Sequence, residues 1–399
     1  MDFSFSEEEE LFRKAVREFC TKNIAPRIME IEEKARIPES LFKSMAQLGL
    51  FGLNVSSEYG GLETSFINTA IAAEEIGYAD ISLSIAIFPF LIENSFAYIV
   101  DKYGTKQLKE EILPKITKGE ILLGIAATEP HCGNDLATMK TKARMEDNHY
   151  LITGEKAYVT GVAEIKERGG GFLTLTYTAP ERRYRGITLL YVPLNLPGIE
   201  TTLYGAVGKR GSSYGGFTLA DVKVPKYFLV GEEGRGVYLA LEGISKARVL
   251  MSIAAIGAAR RCFDLAMDYA KQRIVFGKPI ASYQGIQFQL ADDYTKLEAA
   301  RLLTYKAAWL IDKEAKREVP TAVAMTKLWV PHIAYDAINH VLLWYGAYGY
   351  TKECPIEIGL RGVLSLLSGA GGTDNAMRLM ISRGLLGKNS CEYGIMVLS

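Results

Sequence analysis

The spacing of apolar positions along this chain changes character twice. Over roughly the first 120 residues it follows the helical period. Ser6 and Glu9 form a capping-box pattern, and Leu11, Phe12, Val16, Phe19 and Cys20 then recur at helical spacing. Pro38 precedes a second predicted helix over 39–48, which Gly49 ends. Residues 64–77 and 106–117 give two more, the latter with Leu108, Ile112 and Leu113 on one side. From about 120 to 229 the pattern shortens, and β-branched and aromatic residues dominate. Segments 121–127, 149–160, 172–178, 187–192 and 216–224 read as strands punctuated by Gly, Pro and Asn. No helical pattern alternates with them, so a compact antiparallel barrel is expected rather than a doubly wound parallel sheet. The helical period returns after Gly236. It predicts a long helix over 237–273, then one capped by Ser282 and running to about 316. A third opens at Pro320 and is placed to kink at Pro331, and a fourth covers 373–386. The expected class is α+β in three domains: all-α 1–120, β-barrel 121–230 and a four-helix bundle 231–399.

Composition narrows the chemistry. With 399 residues, 48% of them apolar, the chain can fill several cores and does not belong among disordered proteins. Lys plus Arg equals Asp plus Glu, 46 each, so no basic surface points to nucleic acid. Cys20, Cys132, Cys262, Cys354 and Cys391 are scattered and form no C-x-x-C pair, which predicts reduced thiols rather than disulfides or zinc. The N-terminus shows no signal-peptide pattern. The longest apolar stretch, 81–92, is broken by Ser and Pro and is too short for a membrane span. A soluble, cytoplasmic protein is expected.

Familiar catalytic motifs are missing: there is no Walker P-loop, no G-x-G-x-x-G after a strand, no H-E-x-x-H and no G-x-S-x-G. Four segments carry polar groups in settings that could serve a ligand. Thr128-Glu129-Pro130-His131-Cys132-Gly133-Asn134-Asp135 follows a strand and offers hydroxyl and amide groups beside a turn. Tyr158 and Thr160 share a strand face by alternation. Arg273, Phe276, Gly277 and Gln284 pair a guanidinium, suited to a pyrophosphate, with an aromatic surface. Gly369-Ala370-Gly371-Gly372-Thr373 presents backbone N–H groups at a helix start. Each has a plainer reading as an ordinary turn, core aromatic or cap.

In this order the segments resemble the acyl-CoA dehydrogenase family over nearly the whole chain. Glu58-Tyr59-Gly60-Gly61-Leu62, Tyr103-Gly104-Thr105-Lys106-Gln107, Ile152-Thr153-Gly154-Glu155-Lys156 and Asp221-Val222-Lys223-Val224-Pro225 are similar to further family motifs. The resemblance implies FAD as cofactor, an acyl-CoA substrate, a homotetramer built as a dimer of dimers, and an electron-transfer flavoprotein as electron acceptor. It implies that Thr128 and Thr160 bond the flavin ring and that Tyr158 packs on it. It assigns Arg273, Phe276 and Gln284 to the adenosine-diphosphate half, reached from a neighbouring subunit. Thr373 and Asn375 complete the FAD site, and Asn134 and Arg248 lie along the acyl-CoA path. The implied reaction removes a proton alpha to the thioester carbonyl and passes a hydride from the beta carbon to the flavin.

The sequence departs from the family where that proton must go. One group of members carries a glutamate before the Gly-Thr of the last helix, where this chain has Gly371. Another carries it before the arginine of the first bundle helix, where Ala247 precedes Arg248. Glu93 and Asp374 are the candidates for a relocated base. An oxidase or monooxygenase on the same fold is the alternative, as is a non-catalytic FAD- or CoA-binding subunit of a heteromer.

Overall fold

The computed structural model describes residues 4–387, so Cys391 and the end of the 231–399 region lie outside the described residues. Six helices come first: α1 (Glu7–Asn23), α2 (Ile28–Lys34), α3 (Glu39–Gln47), α4 (Phe66–Ala79), α5 (Ile92–Tyr103) and α6 (Lys106–Thr117). The Ser6–Glu9 capping box forms in both directions, and Gly49 takes a φ of 76° just past α3. The pattern missed α2 and α5. α2 has only seven residues, and α5 follows a buried, irregular turn at Phe88–Pro89 that interrupts the helical period.

The middle of the chain forms strands β1 (Leu122–Ala126), β2 (Lys142–Glu146), β3 (His149–Thr160), β4 (Gly170–Tyr177), β5 (Ile187–Pro193), β6 (Ile199–Leu203), β7 (Tyr214–Pro225) and β8 (Leu229–Val230). Their order is β6-β7-β3-β2-β4-β5-β8, with β1 beside β4. Most neighbours are antiparallel, as expected, but β1 runs parallel to β4 from Leu122↔Gly170 to Ala126↔Thr174. A helix also interrupts the strands. α7 (Val162–Arg168) follows β3 and carries the chain back to β4, and its seven residues are too few to display a period. β2 and β6 escaped the sequence reading because their side chains are mostly exposed.

The rest of the chain is helical: α8 (Gly236–Gln272), a small β9–β10 hairpin (Ile274–Val275, Lys278–Pro279), α9 (Gln284–Asp312), α10 (Val319–Leu343), α11 (Ile356–Leu367) and α12 (Asp374–Leu386). α11 is a fifth helix beyond the four expected. Tyr283, not Ser282, is the N-cap of α9, because the Ser282 hydroxyl is spent on the Pro279 carbonyl. α10 begins at Val319 and continues without a break through Pro331.

Paired glycines bring the N-terminal helices onto the bundle. A Cβ at Gly77 of α4 would stand 2.2 Å from the Ala254 carbonyl oxygen of α8, and one at Gly257 would stand 2.2 Å from that of Glu74. The backbones of α4 and α8 therefore touch. Buried Glu74 locks this crossing, accepting from Arg260 of α8 at 2.7 Å and from Arg301 and Tyr305 of α9 at 2.7 Å each. Asp312, at the end of α9, accepts from the first N–H groups of α4, Phe66 at 2.6 Å and Ile67 at 3.0 Å, satisfying donors a helix start leaves open. α8 thus becomes a fixed wall, and Arg248 lies on it.

Candidate functional site

β1 ends at Ala126, and the segment after it lies against β3: the Ala157 N–H donates to the Thr128 carbonyl at 3.0 Å. Thr128 is thereby set beside the end of β3, where Tyr158 and Thr160 emerge. A β-bulge falls between Lys156 and Val159, and Tyr158 takes a φ of 58°. Val159 is buried while Tyr158 is exposed and Thr160 half-buried, so the two predicted residues face outward as alternation required. Tyr158 leans on Tyr204 and Tyr214, with ring centroids 5.6 and 6.2 Å away. Neither the Thr128 nor the Thr160 hydroxyl makes a hydrogen bond to another described residue.

What fixes this turn was not apparent from the sequence. Glu129 and Lys156 are both buried and meet at 3.0 Å. The Glu129 carboxylate also accepts from the N–H groups of Lys140 at 2.7 Å and Thr141 at 3.0 Å. Burial alone would raise the Glu129 carboxyl, but Lys156 and these donors outweigh it and hold it below the usual carboxylate range. Burial pushes the Lys156 ammonium down to about 8, against the pull of Glu129. One signal was available: Lys156 interrupts the strand two residues before Tyr158, where an inward charge needs a partner.

Asn134 and Thr373 come together across 239 residues of sequence: Asn134 Nδ2 donates to Thr373 Oγ1 at 2.7 Å. Thr373 is also the N-cap of α12, accepting from the Ala376 N–H. Asn375, in the first turn, accepts from Arg378 at 3.0 Å. The bridge joins the loop after β1 to the start of α12. Just before it, the carbonyl of Gly371 accepts from Arg248 Nε at 2.6 Å. Gly371 and Gly372 have φ of 72° and 106°, values that favour glycine.

Arg273, Phe276 and Gln284 form a second group at the β9–β10 hairpin. All three are exposed, and Phe276, with φ 51°, is 94% exposed at its tip. No hydrogen bond or ring contact among the described residues links this hairpin to Thr128, Tyr158 or Thr160. Phe276 makes no ring or cation–π contact with the other described residues, so its face is open to a ligand or to another chain. The donor set fits a flavin dinucleotide: two open hydroxyls and an outward aromatic for a planar ring, and a separate Arg–Phe pair for a diphosphate half.

The two carboxylates nominated as bases are both engaged within the fold. Glu93 on α5 is fully buried; one oxygen accepts from the Leu123 N–H at 2.7 Å and the other has no hydrogen-bond partner. Burial raises its carboxyl well above the usual range, outweighing the Leu123 N–H and the Arg168 charge, and so favours its protonated form. Asp374 is taken up by His332, 2.7 Å away, and faces Lys327 at 3.8 Å.

The state of Glu93 gives a stability prediction. Its folded pKa is raised, so above the ordinary carboxyl value the unfolded chain binds fewer protons than the folded one. Stability therefore falls as pH rises through that window. Glu93→Gln, which mimics the protonated form, is expected to be as stable as the parent near pH 4.5. It should be more stable at pH 7.5, the gap growing by at most about 1.4 kcal/mol per pH unit. Equal urea midpoints at both pH values would show that Glu93 ionises in the fold.

Comparison with known proteins bears on the whole chain. The family model "Acyl-CoA dehydrogenase, N-terminal domain" matches residues 6–120, the middle-domain model matches 124–222 and the C-terminal-domain model matches 234–386. The chain is 35% identical over 360 residues to an acryloyl-CoA reductase (NADH) of Anaerotignum propionicum, covering 90% of this chain and 89% of that one. It is 32% identical over 355 residues to the mitochondrial short/branched chain specific acyl-CoA dehydrogenase of Rattus norvegicus, covering 89% and 80%. A glutaryl-coenzyme A dehydrogenase structure in complex with glutaryl-CoA superposes with a TM-score of 0.90 at 30% identity, covering 97% of each chain.

Proposed function

Because this chain belongs to the acyl-CoA dehydrogenase family, and so to its flavoenzymes, we propose that it oxidises an acyl-CoA thioester between the alpha and beta carbons. The observation that carries this reading is the Asn134–Thr373 bridge. It ties the loop after β1 to the start of α12, and the Arg248 bond to the Gly371 carbonyl joins α8 to the same turn.

FAD supplies the two-electron acceptor when bound. In our reading the Thr128 and Thr160 hydroxyls hold its ring, Tyr158 covers it, and Thr373 and Asn375 complete that end. Arg273, Phe276 and Gln284 hold the diphosphate half, given by a neighbouring subunit of a homotetramer. Asn134 and Arg248 orient the thioester, and N–H groups at the start of α12 are suited to negative charge developing on its carbonyl oxygen. An electron-transfer flavoprotein takes the electrons onward.

The test is anaerobic titration of the purified flavoprotein with short, medium, branched and dicarboxylic acyl-CoAs, following the visible flavin band. Bleaching by one thioester class is expected, and a band that none of them bleaches would sink the proposal. Gly371 and Ala247, which leave both usual base positions without a carboxylate, favour a second reading: a flavin oxidase or monooxygenase. Rapid oxygen consumption by the reduced protein would select it.

A further inference from the structure

Arg248 is only 5% exposed, yet no carboxylate among the described residues bonds to it. Its Nε is committed to the Gly371 carbonyl, its Nη1 faces Met380 Sδ at 3.6 Å, and its Nη2 donates to no described residue. A guanidinium taken out of water without a counter-ion is costly to keep, and burial accordingly lowers its pKa to about 10, which still leaves it charged at neutral pH.

The neighbours do not supply the missing charge. Lys327 is fully buried and is itself destabilised by burial and by the charge of Arg248. Asp374, the carboxylate of this cluster, is divided between Lys327 at 3.8 Å and His332 at 2.7 Å. Two buried cations therefore stand against one carboxylate. The loop facing Arg248 is also bare. A Cβ at Gly372 would lie 3.2 Å from Arg248 Nη2, and one at Gly371 would lie 3.3 Å from its Cγ. Gly371 and Ala247 carry no side chain that could reach back as an anion.

Resting on the thioester site proposed above, we propose that Arg248 receives a carboxylate carried by the acyl group, so that the site takes thioesters of dicarboxylic acids in preference to plain fatty acyl thioesters. The substrate brings the anion that the protein lacks. The unspent Nη2 is the donor that meets it, and neither Gly371 nor Gly372 carries a side chain that would compete for it. A charge-assisted pair in so dry a setting discriminates strongly, because a neutral acyl group would leave the guanidinium unpaired.

Calorimetric titration of the oxidised, FAD-loaded protein under anaerobic conditions tests this with matched pairs: malonyl- against propionyl-CoA, succinyl- against butyryl-CoA, glutaryl- against valeryl-CoA. In at least one pair the dicarboxylic member should bind about tenfold tighter or more, and in Arg248→Gln that ratio should fall to about one, on top of any loss of affinity the two members share. Arg248→Lys should keep part of the preference. Equal binding within every wild-type pair overturns the inference. So does an Arg248→Gln variant that weakens both members alike, which would make Arg248 only a clamp on the Gly371 turn. Should Arg248→Gln fail to retain FAD, the wild-type ratios decide alone. A protein that binds no CoA thioester at all overturns the acyl-CoA reading and this inference with it, whereas equal binding leaves that reading standing.

Discussion

Replacing Lys156 with Met is expected to destabilise the protein by roughly 3–5 kcal/mol, the usual cost of stranding one member of a buried ion pair. Lys156 is fully buried and Glu129 is 2% exposed, so water cannot take the place of either partner. Without the ammonium, Glu129 must either ionise in a dry setting or take up a proton. Staying ionised leaves an uncompensated buried charge, and taking up a proton weakens its hold on the Lys140 and Thr141 N–H groups. Those bonds tie the segment after β1 to the start of β2, and Thr128 sits at the head of that segment. The expected result is therefore a lower thermal midpoint together with loss of the yellow colour on purification. Pairing Lys156→Met with Glu129→Gln separates the two causes. If the charge pair is what matters, the double variant recovers most of the stability. If Lys156→Met purifies with full flavin content and an unchanged midpoint, the pair does not organise the site.

The helical and strand periods foretold most of the architecture because long elements repeat their pattern often enough to be read. α8, α6 and β3 are the clearest cases. What escaped was short or irregular: the seven-residue α7, the exposed β2 and β6, and α5 behind the Phe88–Pro89 turn. The parallel pairing of β1 with β4 was hidden for another reason. Strand direction depends on where the chain returns, and here it returns through α7. The same division holds for the candidate site. Thr128, Tyr158, Thr160 and Thr373 lie in recognisable local motifs. The Glu129–Lys156 pair, the Asn134–Thr373 bridge and the unpaired state of Arg248 exist only after distant segments meet. Glu93 shows how a local view misleads. Nothing next to it in sequence reveals that it is sealed from water, which favours its protonated form.

Ala247→Glu is expected to raise the rate at which a monocarboxylic acyl-CoA bleaches the flavin anaerobically by roughly 100- to 10,000-fold, the usual worth of a positioned base. Of the two positions left without a carboxylate, this is the one that can accept it. Gly371 has φ 72°, and a Cβ there would lie 3.1 Å from Met251 and 3.3 Å from Arg248, so any side chain is both strained and crowded. Ala247 is a buried position of α8 that already carries a Cβ in ordinary helical backbone. A glutamate there costs helix propensity little. It would lie one residue from Arg248, whose positive field favours the ionised form that a base requires. Ala247→Gln, equal in size but unable to accept the proton, should show no gain. The introduced carboxylate also adds negative charge near Arg248, so the same variant should show a weaker preference for dicarboxylic thioesters while it gains turnover on plain ones. Unchanged bleaching in a variant that retains full flavin and binds acyl-CoA as tightly as its parent would mean that α8 does not face the alpha carbon, and the acyl group would then have to lie elsewhere against the Gly371–Thr373 turn.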